Sequence, residues 1–142
     1  MNKPDPELLE VKECTQSGYH PMIRFDGWRV AFLNDTPKFR LENIQEMQRH
    51  NTSDEVFVLL KGKCTLYIGD GKEDSPGQIT AVPLERGLLY NVRRGVWHTH
   101  ALTANTQVVV IENEDVSSDN SDHIPVCLNT APHGINQTGD PQ

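Results

Sequence analysis

The stretch GLLYNVRRGVWHTH, Gly87–His100, decides how the rest of the chain reads. A glycine turn leads into a strand on which His98 and His100 stand two residues apart. They therefore share one face, while Trp97 and Thr99 take the other. A partner lies upstream in MQRHNTSDEVFVLLKG, Met47–Gly62, where Gln48 and His50 repeat the spacing and Glu55 precedes an apolar run. Two such strands facing each other would converge three imidazoles, an amide and a carboxylate. That set either holds a metal or forms a polar pocket that resembles a metal site.

Outward from these stretches, the chain keeps a strand rhythm. WRVAFL, Trp28–Leu33, is rich in aromatic and β-branched residues and stops at Asn34-Asp35-Thr36-Pro37, a turn. Glu42–His50 carries no apolar helical stripe and reads as a strand. Glu55–Lys61 and Lys63–Ile68 read as two strands of a meander hinged at Gly62, with a hairpin signal at Gly69-Asp70-Gly71. Gln78–Pro83, Leu88–Arg93, Val96–Leu102 and Thr106–Glu112 follow, each bounded by glycine, asparagine or charged turns. Many short strands at such spacing predict an all-β sandwich or barrel, not alternating β/α units. Residues 1 to about 22 hold Pro4, Pro6, Gly18 and Pro21 and read as an arm with one helical turn at Glu7–Lys12, then a loop. From Asn113 the sequence turns acidic and serine-rich; Ile124 and Val126 are its docking residues, and the segment after about Asn129 reads as dispensable.

Composition narrows the function. At 142 residues the chain suits one domain. Thirteen Lys and Arg against twenty Asp and Glu give a net charge of −7, with no basic cluster longer than Arg93-Arg94, which argues against nucleic acid. No apolar run approaches the length that spans a bilayer, and the opening MNKPDPELLE lacks an apolar centre, so the chain reads as soluble and cytoplasmic with no membrane partner. Cys14, Cys64 and Cys127 are widely spaced and read as reduced thiols.

The two histidine stretches resemble the paired motifs of the cupin superfamily. The first family motif, His-x-His followed by Glu and then Gly, is met by Gln48-x-His50, Glu55 and Gly62, with Gln48 in place of the first His. The second, Gly followed by Pro-x-Gly-x-x-His and Asn, is met by Gly87, Gly95 and His98, with Arg93 at the Pro position and Leu102 at the Asn. The resemblance implies a double-stranded β-helix, or jelly-roll barrel, over residues 25–112, preceded by an arm (1–24) and followed by an acidic extension (113–142). It further implies a divalent metal (Zn, Mn, Fe or Ni) held by His50, Glu55 and His98, with Gln48 or His100 able to fill a fourth position, and a homodimer. Within the superfamily, Arg49-His50 and Arg94-Gly95-Val96-Trp97-His98 are similar to ureidoglycolate lyases, which cleave ureidoglycolate to glyoxylate and urea.

On these expectations His50, Glu55 and His98 are the catalytic candidates, and Arg49, Arg94, Trp97 and His100 the substrate-binding ones. An Arg at a cavity mouth suits a carboxylate through paired hydrogen bonds. Two functions stay open. In one, an enzyme of lyase or isomerase type moves a proton on a small polar acid or ureido compound. In the other, the barrel captures a small molecule without turning it over, with or without metal.

Overall fold

The computed structural model describes residues 4–128, and they form ten antiparallel strands in two five-stranded sheets. The strands are β1 (Gly18–Phe25), β2 (Trp28–Asn34), β3 (Glu46–His50), β4 (Glu55–Lys61), β5 (Cys64–Gly69), β6 (Ile79–Pro83), β7 (Tyr90–Val92), β8 (His98–Leu102), β9 (Gln107–Asn113) and β10 (Ser121–Pro125). One sheet runs β1-β2-β9-β4-β7 and the other β10-β3-β8-β5-β6. This is the all-β double-stranded β-helix expected of a cupin. Among the described residues no helix is long and apolar enough to cross a membrane. The expectation about the segment beyond Asn129 falls outside the described residues.

The period of two in the sequence builds the core. The inward row of β4 is Glu55, Phe57 and Leu59, and that of β9 is Val108, Val110 and Glu112, all buried. With Ala31, Leu33, Leu66 and Leu102 the apolar members of these rows fill the space between the sheets. Each row ends in a carboxylate at the same level, because Glu55 lies directly opposite Glu112 across the β4–β9 ladder. Arg29 lies opposite Glu112 in turn on β2. The barrel therefore has an apolar end and a polar end, and the polar end holds the site.

Three local readings are corrected. β4 and β5 do not form a meander: they belong to different sheets, and the chain crosses between them at Gly62, where φ is +81°. A Cβ there would come within 2.5 Å of the Thr106 Cα, so the crossing admits only glycine. Gly69-Asp70-Gly71 is not a tight hairpin. It opens a loop over 70–78 before β6, closed by the Gly71 amide donating to the Pro76 carbonyl at 2.8 Å and by the Gln78 amide donating to Asp70 Oδ1 at 2.8 Å. The helical turn expected at Glu7–Lys12 is a single turn centred on Glu7, with the Leu8 and Leu9 amides bonded to the Asp5 carbonyl.

Both flanks contribute strands beyond the 25–112 span. β1 pairs with β2 along its length, with an irregularity between Pro21 and Ile23, and β10 pairs with β3 from Ser121–His50 to Pro125–Glu46. Both are edge strands, where a proline lacking its amide hydrogen is tolerated.

Candidate metal site and ligand cavity

His50, Glu55 and His98 meet at the polar end of the barrel, each offering one ligand atom, and these atoms all lie within 4.8 Å of one another. The strands do not face each other as the sequence suggests. β3 and β8 are neighbours in one sheet, joined through the single pair Gln48–His98, and Glu55 reaches them from the opposite sheet. Neighbouring strands lie ~5 Å apart, which brings the two imidazoles side by side, with ring centroids 5.3 Å apart.

Both rings turn the same atom inward. His50 Nε2 lies 3.1 Å and His98 Nε2 2.9 Å from a single oxygen, Glu55 Oε1. Their other nitrogens are anchored, His98 Nδ1 on the Val96 carbonyl at 3.0 Å and His50 Nδ1 on Ser121 Oγ at 2.8 Å. Only an N–H can satisfy a carbonyl, so His98 carries its first proton on Nδ1 and a neutral ring turns a lone pair toward the Glu55 carboxylate. Two acceptors at that distance need a cation between them, either a second proton on the ring or a metal ion. The donor set fits a metal: two imidazoles and a carboxylate, with the far ring nitrogens fixed by a carbonyl and a hydroxyl as ligating histidines are.

Electrostatics agree with a cation trap. Burial alone would raise the Glu55 carboxyl, but the hydrogen bonds and charges of His50 and His98 outweigh it and hold it well below the usual carboxylate range. Burial alone would lower the His50 imidazole, and the Glu55 carboxylate outweighs that and holds it above its ordinary value. Glu112 is raised, first by burial and then by the neighbouring charge of Glu55, against the pull of Tyr19 and Arg29.

Two members of the triad, His50 and Glu55, open onto a cavity of about 370 Å³, walled by Leu33, Phe39, Phe57 and Val110 and by the polar groups of Tyr19, Arg29 and Glu112. Gln48 and His100 also line it. Gln48 thus stands beside the triad, and His100 joins His98 inside the barrel, packed edge-on against Phe39 at 5.1 Å. Burial pushes His100 down to about 4, so it is neutral, and its Nδ1 has no hydrogen-bond partner among the described residues. A larger hollow of about 660 Å³ on the other side of Gln48 and His100 contains no residue of the triad.

The other substrate-binding candidates lie outside the cavity. Arg49 and Trp97 alternate with His50 and His98 and so face outward, beneath the 70–78 loop, where both donate to the Glu73 carbonyl. Arg94 is exposed on the turn before β8, and its amide donates to Asp54 Oδ1 at 2.7 Å. Conversely, Tyr19, Arg29, Glu112 and Ser121 belong to the site although none was expected there. Arg29 and Glu112 had a readable signal, since each continues an inward apolar row, Ala31 and Leu33 for the first and Val108 and Val110 for the second.

The sequence from 36 to 116, more than half of the chain, matches the family model described as auxin binding protein. This chain belongs to that family of cupins. No curated protein matches it. Among solved structures, this family member is similar to a cupin-2 domain containing protein from Shewanella frigidimarina, at 16% identity and a TM-score of 0.52, over 71% of this chain and 85% of that one. It is also similar to the QdtA 3,4-ketoisomerase from Thermoanaerobacterium thermosaccharolyticum in complex with TDP, at 17% identity and a TM-score of 0.54, over 70% and 68% of the two chains. A third similarity is to a TDP-quinovose 3,4-ketoisomerase from Campylobacter jejuni, at 16% identity and a TM-score of 0.51, over 66% and 67%. At these identities the likeness is one of fold. None of the three bears the name of a ureidoglycolate lyase.

Proposed function

We propose that this auxin-binding-family cupin is a metal-dependent binding protein for a small organic acid. His50, Glu55 and His98 would hold a divalent cation, and the acid's carboxylate would be drawn to it. The observation that carries this reading is that His50 and Glu55, two members of the triad, open onto a cavity that also presents the apolar side chains of Leu33, Phe39, Phe57 and Val110. Three protein ligands leave a cation coordination positions to offer a guest, and Leu33, Phe39, Phe57 and Val110 suit a ring or short hydrocarbon body. The donor set is compatible with Zn, Mn, Fe or Ni, with Gln48 near enough in register to add an amide oxygen. The family's name supports capture of a small molecule over its conversion.

A lyase or isomerase is the second reading. It is favoured by the contact of Glu55 Oε1 with two imidazoles, an arrangement able to take and return a proton. Ureidoglycolate cleavage is the less favoured form of it, because Arg49, Arg94 and Trp97, which carried that similarity, do not line the cavity.

The test is metal analysis of the purified protein followed by calorimetric titration with phenylacetate, before and after chelator treatment. Stoichiometric metal and acid binding that disappears on chelation, and in His98→Ala, are expected. Equal binding of phenylacetate by the stripped protein would overturn the reading.

A further inference from the structure

We propose that Glu112 is a second recognition point in the cavity, accepting a hydrogen bond from a hydroxyl or N–H group that the ligand carries apart from its carboxylate. The inference rests on the acid-binding reading and narrows it to acids that bear a donor. Glu112 is only 6% exposed, yet it lines the cavity. One of its oxygens is fully engaged: Oε2 accepts from the Tyr19 hydroxyl and from Arg29 Nη2 at 3.1 Å. The other, Oε1, is buried with no partner among the described residues. A buried carboxylate oxygen left without a donor is costly, and beside a cavity the donor can be supplied by what enters it, water or a ligand.

The surroundings fix what that ligand must look like. Arg29 does not compete for an incoming acid, because its guanidinium is already bonded to Tyr19, Glu112 and the carbonyls of Glu114 and Val116. It acts as a positioning residue that holds Glu112 in place. Glu112 repels a second carboxylate, so the acid group is directed to the cation and the ligand's hydrogen-bond donor to Glu112. Side chains directly opposite on neighbouring strands have Cβ atoms ~5 Å apart, which sets Glu112 beside Glu55 while leaving it outside the triad. The donor therefore stands a few bonds from the carboxylate on a ring or short chain that Phe57 and Val110 can line.

The experiment compares phenylacetate with 3-hydroxyphenylacetate and 4-hydroxyphenylacetate on zinc-loaded protein. One hydroxylated acid should bind about tenfold tighter than phenylacetate, the scale of a hydrogen bond to a charged acceptor. Glu112→Gln, which turns an amide donor toward the cavity, should bring the affinities to within about twofold with zinc stoichiometry retained. Glu112→Asp, which keeps the charge and withdraws the oxygen, should lose the preference as well and serves if Glu112→Gln folds poorly. Equal, zinc-dependent binding of all three acids by the unaltered protein overturns this inference alone. A preference that survives both substitutions also overturns it. Zinc-independent binding of phenylacetate defeats the acid-binding reading, and this one with it.

Discussion

The guanidinium of Arg49 lies 4.4 Å from the ring centroid of Trp97, on the face of the sheet turned away from the cavity. Each also donates to the Glu73 carbonyl, Arg49 at 2.8 Å and Trp97 at 3.0 Å, and Arg49 Nε reaches Asp122 Oδ2 at 2.8 Å. The pair fastens the 70–78 loop and β10 to the outside of the barrel. Its contribution is structural, through stacking and two anchored segments, and the half-exposed Asp122 adds little to it.

Arg49→Ala should therefore lower stability by about 1–2 kcal/mol, the scale of a partly buried cation–π contact with its hydrogen bonds. Metal stoichiometry and acid affinity should be unchanged. Denaturant melts and calorimetry on the same preparation check both halves. Loss of acid binding in a variant that melts normally would place Arg49 in the site after all.

His100 sets a limit on acid tolerance. Its folded-state value of about 4 lies below the ordinary 6.5, so the unfolded chain takes up a proton in this range that the native ring refuses. The resulting stability is fully present above pH 6.5 and is lost as pH falls toward 4. His100→Leu removes both the titration and the unpartnered Nδ1. The variant should match or exceed the parent at pH 7 and lose distinctly less melting temperature between pH 7 and pH 5. A parallel fall in both proteins would show that His100 is not the group responsible.

The triad should respond to pH with opposite signs in its two states. Without metal, Glu55 holds the His50 imidazole above its ordinary value, so that contribution is present below pH 6.5 and is lost as pH rises through the folded value. A bound cation needs the same ring deprotonated, and metal held only by the native state stabilises it by mass action. The rise in melting temperature on adding zinc should accordingly grow from pH 6 to pH 8. In His98→Ala it should be small at both. A shift independent of pH would mean that imidazoles are not the ligands.

The triad and most strands were legible because alternation survives in a barrel: Glu55, Phe57 and Leu59 mark one inward row without reference to any partner. Arg29 and Glu112 sit on equally clear rows but, being charged, read as solvent-facing, and their mutual pairing across β2 and β9, with Tyr19 bonded to both, makes burial tolerable. β1 was hidden because Gly18 and Pro21 signal a loop, and an edge position lets both persist in a strand. β10 is short, polar and ends in Pro125, so pairing with β3, not propensity, makes it a strand. The contact of His50 with Ser121 spans 71 residues and leaves no periodic trace.

β10 also sets a timetable for synthesis. Every ligand of the triad has been translated by His98, yet β3 has a single residue pair with β8 and gains five more only when Ser121–Pro125 arrives. A chain still being made, or one that terminates after β9, holds β3 as a bare sheet edge with the His50 ring unanchored by Ser121. Such a chain is open to pairing with a neighbouring nascent copy before the triad is complete. On the metal-binding reading, loading would then be a late event, completed only once β10 has paired with β3 and anchored His50.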